Sequence, residues 1–366
     1  MGYKDPLRSA ILIWIFFLIY LTPGAWAQEK GWEAHWSKMI AGARREGRLV
    51  LAGPPESSIR QALTSKFAAR FGIPVEYIGG RGGEMRERII MEHQAGVFTI
   101  DVYLGGDPNL YQAKVLDPVK PALILPEVVS PSNWENGRLW FMDPEDKYVL
   151  RLFNNVVAVF DINTRYVRPE EVTSVRYFLD PKWRGKISAY DPRVTGTGNA
   201  RATYFYLLFG EEFIKQLYID QKPVITRDRR QMGDWLARGT YPIALGAQSE
   251  EVERLREEGF PVMQLNHIPD APGYLSAGSG LISAISRAPH PNAAKVFINW
   301  LASKEGLEAY ARAQLDNPLR TDIDKSFLDP GTIPRPGVKY RFDSADWKFQ
   351  IQVREKVRLR FKELLK

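Results

Sequence analysis

The sequence predicts an α/β protein built in two blocks, on three observations. Strand-type and helix-type patterns alternate twice, between Arg48 and Gly106 and again between Lys186 and Gln248, and such alternation builds a parallel sheet flanked by helices. At 366 residues the chain is long for one ordinary core, which points to two domains. Its 45% apolar and 25% charged residues can fill those cores without cross-links, and it has no cysteine to make any.

The elements follow in order. Trp32, Trp36, Met39, Ile40 and Ala43 recur at helical spacing, and Gly47 ends that helix. Arg48–Ala52 reads as a strand and 53–58 as a loop, with Ser57 or Ser58 capping a helix to Phe71. Val75–Ile78 is a second strand, 79–83 a Gly-rich loop, Glu84–Gln94 a helix and Ile100–Leu104 a third strand. Residues 117–136 are Pro-rich and read as irregular, and Tyr148–Phe160 as one long β-type run. In the second block, Lys186–Tyr190 is a strand, 191–199 a loop and Ala200–Phe209 an apolar helix. Met232–Arg238 and Glu250–Glu258 read as helices, and Tyr241–Leu245 and Tyr274–Ile285 as strands. Asn292–Ala313 is an amphipathic helix pair broken near Ser303.

Residues 1–27 have a distinct character. Lys4 and Arg8 precede an unbroken apolar run, Ala10–Leu21, which is followed by Ala25-Trp26-Ala27. A basic head, a short apolar centre and an A-x-A ending predict a secretory signal peptide cleaved after Ala27. The run is shorter than the ~20 residues of a spanning helix. The expectation is a soluble chain that works outside the cytoplasm. Without Cys it has no thiolate metal site, iron–sulfur cluster, Cys nucleophile or thioether lipid anchor.

Net charge is +7. The basic residues are interleaved with acids, as in Glu84-Met85-Arg86-Glu87-Arg88, so a nucleic-acid partner is not expected. The densest basic stretch, Lys348–Lys366, also holds Glu355 and Glu363 and reads as a solvated helix face. A modest positive field favours anionic small molecules.

Two Gly-rich loops lead into helices: Gly79-Gly80-Arg81-Gly82-Gly83 and Thr195-Gly196-Thr197-Gly198-Asn199. Such loops let backbone N–H groups approach an anion at a helix N-terminus. Arg81 and Arg193 add forked donors suited to carboxylate or phosphate. The bland reading is an ordinary turn in each case. Neither loop has the spacing of a Walker or dinucleotide motif. His35, His93, His267 and His290 lack metal-type spacing, no G-x-S-x-G elbow is present, and no carboxylate pair stands out as an acid/base couple. No catalytic residue, metal ligand or cofactor is assigned.

Four stretches carry a family resemblance: Ala43-Arg-Arg-Glu-Gly-Arg-Leu-Val50, Asp101-Val-Tyr-Leu-Gly-Gly106, Phe178-Leu-Asp-Pro-Lys-Trp-Arg-Gly-Lys186 and Ala294-Lys-Val-Phe-Ile-Asn-Trp-Leu-Ala-Ser-Lys-Glu-Gly306. Their order resembles the bacterial extracellular solute-binding proteins of ABC transporters, in the branch that includes the ferric-ion-binding proteins. The resemblance implies a two-lobed periplasmic-binding-protein fold of type II, closing on its ligand by hinge motion. The expected division is a signal peptide at 1–27, lobe 1 at 28–153 and 274–366, and lobe 2 at 154–273. Tyr148–Phe160 and Tyr274–Ile285 would be the crossings. Iron-binding members carry two adjacent tyrosines after the strand matching Tyr241–Leu245, where this chain has Gly246-Ala247-Gln248. A bare ferric ion is therefore disfavoured and an organic or phosphate-bearing anion favoured. The expected ligand-binding residues are Ser57, Ser58, Gly80, Arg81, Gly82, Asp107, Arg193, Thr195, Gly196, Thr197, Gly198, Gln248 and Arg320. Expected partners are a small anionic solute and an inner-membrane ABC permease, with the receptor monomeric. The alternatives are a ferric-complex receptor using a synergistic anion, a sensor module and a secreted enzyme acting in the same cleft.

Overall fold

The computed structural model describes residues 23–366 apart from Thr195. The basic head and apolar run of the expected signal peptide lie outside the described residues.

The chain forms two sheets joined by a narrow ribbon. In chain order the first-block elements are α1 (Pro23–Glu46), β1 (Leu49–Gly53), α2 (Ser57–Phe71), β2 (Val75–Gly79), α3 (Gly82–Gln94), β3 (Val102–Tyr103) and α4 (Pro108–Gln112). They continue with β4 (Leu116–Asp117), α5 (Pro126–Val129), β5 (Trp140–Phe141) and β6 (Val149–Arg151). Strands β1, β2 and β3 pair in parallel. Across the gap come β7 (Asn155–Val157), β8 (Phe160–Asn163), β9 (Ile187–Tyr190), α6 (Thr197–Lys215), β10 (Val224–Thr226) and α7 (Arg229–Arg238). Next are β11 (Ile243–Leu245), α8 (Ser249–Glu257), β12 (Val262–Leu265), β13 (Tyr274–Ser276) and β14 (Leu281–Ile285). The helices α9 (Pro291–Ala302), α10 (Lys304–Gln314) and α11 (Arg354–Leu364) complete the chain. The first sheet runs β2-β1-β3-β14-β6-β5, with β4 on β14, and the second runs β10-β9-β11-β8-β12. Among the described residues no helix is long and apolar enough to cross a membrane.

The long β-type run at 148–160 is not one strand. It passes through β6 in the first sheet, β7 in the ribbon and β8 in the second sheet, while β12, β13 and β14 make the return journey. The ribbon itself is β7 against β13, antiparallel, from Tyr274–Val157 to Ser276–Asn155.

Each lobe has its own core. Leu51, Phe67, Val102, Leu150, Phe297, Trp300 and Tyr310 are fully or almost fully buried between the first sheet and α1, α2, α9 and α10. Phe160, Phe178, Phe205, Leu217 and Ile243 fill the second lobe. Burying a large apolar side chain stabilises by about 1.5–3 kcal/mol, so neither lobe needs a disulfide.

Buried polar groups fix the joints. Asp101, fully buried, accepts the backbone N–H groups of Val50 and His290 at 2.7 Å each and His290 Nδ1 at 2.9 Å, tying β1 to the entry of α9. The Glu46 carboxylate accepts the backbone N–H groups of Asn292 at 3.0 Å and Ala293 at 2.8 Å. It thus satisfies the open end of α9 and opposes its positive pole. The Ser-Lys-Glu-Gly break has a direct physical cause. Ser303 Oγ donates to Trp300 O at 2.6 Å and accepts Gly306 N–H at 3.3 Å. A Cβ on Gly306 would lie 2.0 Å from Trp300 O, so only glycine lets α10 turn this tightly out of α9.

Residues 331–366 run as a C-terminal arm. Phe342 O accepts Leu275 N–H at 2.9 Å and Ser344 N–H donates back to Leu275 O at 2.8 Å, so the arm lies along the ribbon. Arg151 Nη1 donates to Asp343 Oδ2 at 2.5 Å. The arm next rests on lobe 1, where Trp347 meets Tyr111 edge-to-face at 5.2 Å. Only about 20 Å³ remains between it and Gly106, Pro108, Met142, Val149 and Leu281, space for about one water. It ends as α11 against α6. The sequence reading groups this stretch with lobe 1, but Phe342, Phe349, Val357 and Phe361 belong to the core of lobe 2. The apolar side chains that decide the docking are too sparse in a basic helix to announce their partner.

Candidate functional site

In open α/β sheets ligands bind beyond the carboxyl ends of the parallel strands. In lobe 1 those ends are Gly53, Gly79 and Tyr103, and in lobe 2 they are Tyr190, Thr226 and Leu245.

On the lobe 1 side, Gly80 N–H donates to Gly53 O at 2.9 Å, which stitches two of these loops together. Arg81, exposed, holds the N-cap position of α3 without a side-chain hydrogen bond there, and Gly82 opens the helix. Tyr103 Oη donates to Gly82 O at 3.4 Å, bringing the third strand end under the same helix. Asp107 caps α4 through Asn109 N–H at 2.7 Å and takes Arg86 Nη1 at 2.9 Å. Its carboxylate is thus already partnered, and Arg86 stands beside it one turn into α3.

Ser57 and Ser58 are exposed at the start of α2, and neither caps it. Glu56 occupies the N-cap position and its side chain makes no capping bond. The Pro54-Pro55 dipeptide holds the entering chain extended and shifts the cap one residue upstream of the serines.

On the lobe 2 side, α6 begins at Thr197, three residues earlier than its apolar pattern predicts. Gly196 holds its N-cap position, and Gly198 lies inside the first turn. A Cβ on Gly198 would stand 2.3 Å from Tyr190 O, so this glycine lets α6 press against the end of β9. Thr197 Oγ1 donates to Gly246 O at 3.4 Å, joining the β9 and β11 loops. Gln248 is the N-cap residue of α8, without a side-chain cap bond. Thr195 lies outside the described residues.

Arg193 is largely spent on its own loop. Its Nε and Nη2 donate to Asp191 at 2.8 and 3.1 Å, and Nη1 reaches Leu365 O at 3.3 Å. Burial alone would raise the Asp191 pKa, but hydrogen bonds from Arg193 and Arg227 hold it below the usual carboxylate range.

Arg320 is not in the cleft. It is 1% exposed, with Nε and Nη2 on Asp322 at 2.9 and 2.8 Å and Nη1 on the Glu127 and Ala302 carbonyls at 3.1 Å each. Its guanidinium also lies over the Trp134 ring. The reason is local satisfaction: carboxylate and carbonyl acceptors surround the side chain within lobe 1.

The residue that sequence reasoning missed is Arg354. Its Nε donates to Asn199 Oδ1 at 3.1 Å and its Nη2 to Gly196 O at 3.3 Å, at the N-terminus of α6. It is also close enough to lobe 1 to feel Asp107 and Arg86. Burial pulls its pKa below the ordinary arginine value, Asp107 pushes it back up and Arg86 pulls it down again. The arm therefore brings a cation to the start of α6, where Arg354 Nη1 also donates to Gln350 Oε1 at 2.8 Å. The available signal was the row Arg354, Arg358 and Lys362 at i, i+4 and i+8, which presents one basic face.

Beneath the lobe 2 loops lies a buried ion pair. Asp161 Oδ2 is 3.6 Å from Arg201 Nη2, with both side chains 1% exposed. Burial raises the Asp161 pKa to about 6, against the opposing pull of Arg201 and the Ala247 amide. Arg201 Nε donates to Ala158 O at 2.9 Å, linking α6 to the chain just past the ribbon. Among the described residues no group of three or more His, Asp and Glu is placed to hold a metal ion.

Two α/β lobes on a double crossing, with the strand ends of both sheets supplying the loops, define a solute-binding protein. A family model for bacterial extracellular solute-binding proteins matches residues 62–330, and the chain belongs to that family. A protein of Haemophilus influenzae with no assigned function is 25% identical over 285 residues, covering 73% of this chain and 76% of its own. The fold matches the periplasmic binding protein AfuA from Actinobacillus pleuropneumoniae, solved with exogenous fructose-6-phosphate, at a TM-score of 0.63 and 18% identity. That match covers 87% of this chain and 98% of AfuA. Iron-bound HitA from Pseudomonas aeruginosa matches at a TM-score of 0.62 and 16% identity, covering 87% of this chain and 99% of HitA.

Proposed function

We propose that this chain is a periplasmic receptor that takes a small anionic solute between its lobes and hands it to an ABC permease. The observation that carries the reading is Arg354 at the N-terminus of α6, near enough to the other lobe for the Arg86–Asp107 pair to act on its charge. A helix N-terminus with an arginine beside it suits phosphate or carboxylate. The ribbon of β7 and β13 serves as the hinge, and closure strengthens charged contacts by excluding water. Arg81 and the Gly80, Gly82, Gly196, Thr197, Gly198 and Gln248 backbone complete the cleft. Arg193, held by Asp191 and by Leu365 of the arm, is not assigned to the cleft. The fructose-6-phosphate bound to AfuA belongs to the same ligand class.

A ferric complex is the second reading, favoured by iron-bound HitA. Gly246-Ala247-Gln248 after β11 offers no phenolate, so iron would have to arrive with an anion supplying ligands.

A thermal-shift screen of the mature protein tests the choice, using organic acids, sugar phosphates, and ferric iron with and without citrate. Stabilisation by a sugar phosphate or organic acid, with the solute recovered unchanged, supports the receptor reading. A phenolate-to-iron charge-transfer band on adding ferric iron alone would overturn it, and turnover of the solute would make the protein an enzyme.

A further inference from the structure

A second cavity lies outside the interlobe cleft. It has a volume of about 440 Å³ and is lined by Arg193, Val194, Arg227, Arg358 and Lys362. Every lining residue comes from lobe 2 or the arm, and none from lobe 1. Its floor is Asp191, with a side chain 2% exposed, which takes Arg193 on one side and Arg227 Nε at 2.9 Å on the other. Its wall is α11, locked to the loop by Arg358 Nη1 donating to Arg193 O at 3.3 Å and by Arg193 Nη1 on Leu365 O.

The charges do not balance. Four cations face the space, against the carboxylates of Asp191 beneath it and Glu355, which grips Arg358. Asp191 serves two arginines at once. Arg227 uses only Nε on it, and its terminal nitrogens make no hydrogen bond to a described residue. Arg227 is 64% exposed on its open side, so those donors point to whatever enters. A site of this volume falls in the range of small-molecule pockets. The space is larger than a lone phosphate needs and admits two linked phosphates, whose oxygens can meet the cations of the Arg193–Arg227 loops and of α11 together. Forked arginines with a lysine are the usual recognition chemistry for phosphate oxygens.

We propose that this pocket is a second anion site, distinct from the cleft, which takes a small diphosphate-type ligand. Because α11 supplies half of the cations, occupancy staples the arm to lobe 2. Closure of the lobes is not required, since lobe 1 contributes nothing.

The test is calorimetric titration of the mature protein with inorganic pyrophosphate, in phosphate-free buffer at low salt. The wild type should bind, and added salt should weaken it. Replacing both Arg227→Gln and Lys362→Gln should weaken it about a hundredfold, since each charged hydrogen bond is worth about a factor of ten. Lys362→Gln alone should give a smaller loss. Both side chains are exposed, and matching circular dichroism and melting of the variants without pyrophosphate establishes that they fold. Arg86→Gln, in the cleft, should leave pyrophosphate affinity unchanged. Scattering should show no lobe closure on pyrophosphate addition. Absence of binding to the wild type would overturn the proposal. So would an Arg86→Gln loss equal to that of the pocket variant, which would place the anion in the cleft. Neither result bears on the solute found in the thermal-shift screen, so the two readings fail separately.

Discussion

Replacing Arg320 with alanine should unfold lobe 1 far more readily while leaving the cleft chemistry alone. The side chain makes two charged hydrogen bonds to Asp322 and two to carbonyl oxygens, and is 1% exposed. Asp322 is 34% exposed, so it regains water when its partner leaves and its half counts for less. The Ala302 carbonyl loses a donor inside the lobe, at about 1–3 kcal/mol, while the Glu127 carbonyl keeps Asn133 Nδ2 at 2.8 Å and loses less. Together with the hole beneath Trp134, the loss comes to about 3–5 kcal/mol, the range for breaking a buried ionic group. With a slope of about 2 kcal/mol per molar for a domain of this size, the urea midpoint of lobe 1 should fall by about 1.5–2.5 M. The assay is urea titration followed by tryptophan fluorescence, fitted with separate transitions for the two lobes. A pH arm adds an internal check. The hydrogen bond from Arg320 is the largest cause holding the Asp322 pKa down, so its stabilisation is present above the unfolded value of about 3.9 and is lost as pH falls. The alanine variant should lack that part of the acid sensitivity. An unchanged midpoint with abolished solute binding would refute the burial argument and return Arg320 to the cleft.

Three further outcomes are expected. Gly198→Ala puts a methyl 2.3 Å from Tyr190 O, so it should cost about 1–3 kcal/mol and weaken solute binding by pushing α6 off β9; unchanged melting and affinity would show that the helix start has slack. Glu46→Ala strips the carboxylate from the N-terminus of α9 and should cost about 1–2 kcal/mol in urea titration, with retention of full stability the contrary result. Asp161, with its pKa raised to about 6, binds a proton in the folded state that the unfolded chain has already lost, so its contribution to stability falls as pH rises from about 4 to about 6; Asp161→Asn should flatten that slope between urea titrations at about pH 4.5 and about pH 7, and an unaltered slope would exclude the residue as its source.

Much of the scaffold was legible because its signals are local. The alternation from Arg48 to Leu104 gave the parallel strands β1, β2 and β3, and the Ser-Lys-Glu-Gly break was visible because Ser303 and Gly306 act within one turn. The division of Tyr148–Phe160 into three strands was hidden, since an apolar run reads alike whether it stays in one sheet or changes sheets. The site was harder for the same reason. Gly198 could be recognised as a position needing glycine, but whether a ligand or Tyr190 O required it depended on a strand end eight residues away. Arg320, in a polar loop after a helix, looked available, and its burial rests on Glu127 and Trp134, nearly two hundred residues earlier. Arg354 was obscured by the basic helix around it, where one cation tied to the start of α6 looks like any solvated one.

The contact between Trp347 and Tyr111 has a practical side. The arm is anchored in the apolar interior of the second lobe, yet this indole rests edge-on against a phenol of the first. Parting the lobes must pull these rings apart, and bringing the lobes together must restore them. The protein thus carries its own optical gauge of lobe separation, one of ten tryptophans. Subtracting the emission of a Trp347→Phe variant isolates that gauge, so lobe movement can be timed in a stopped-flow instrument without attaching a dye.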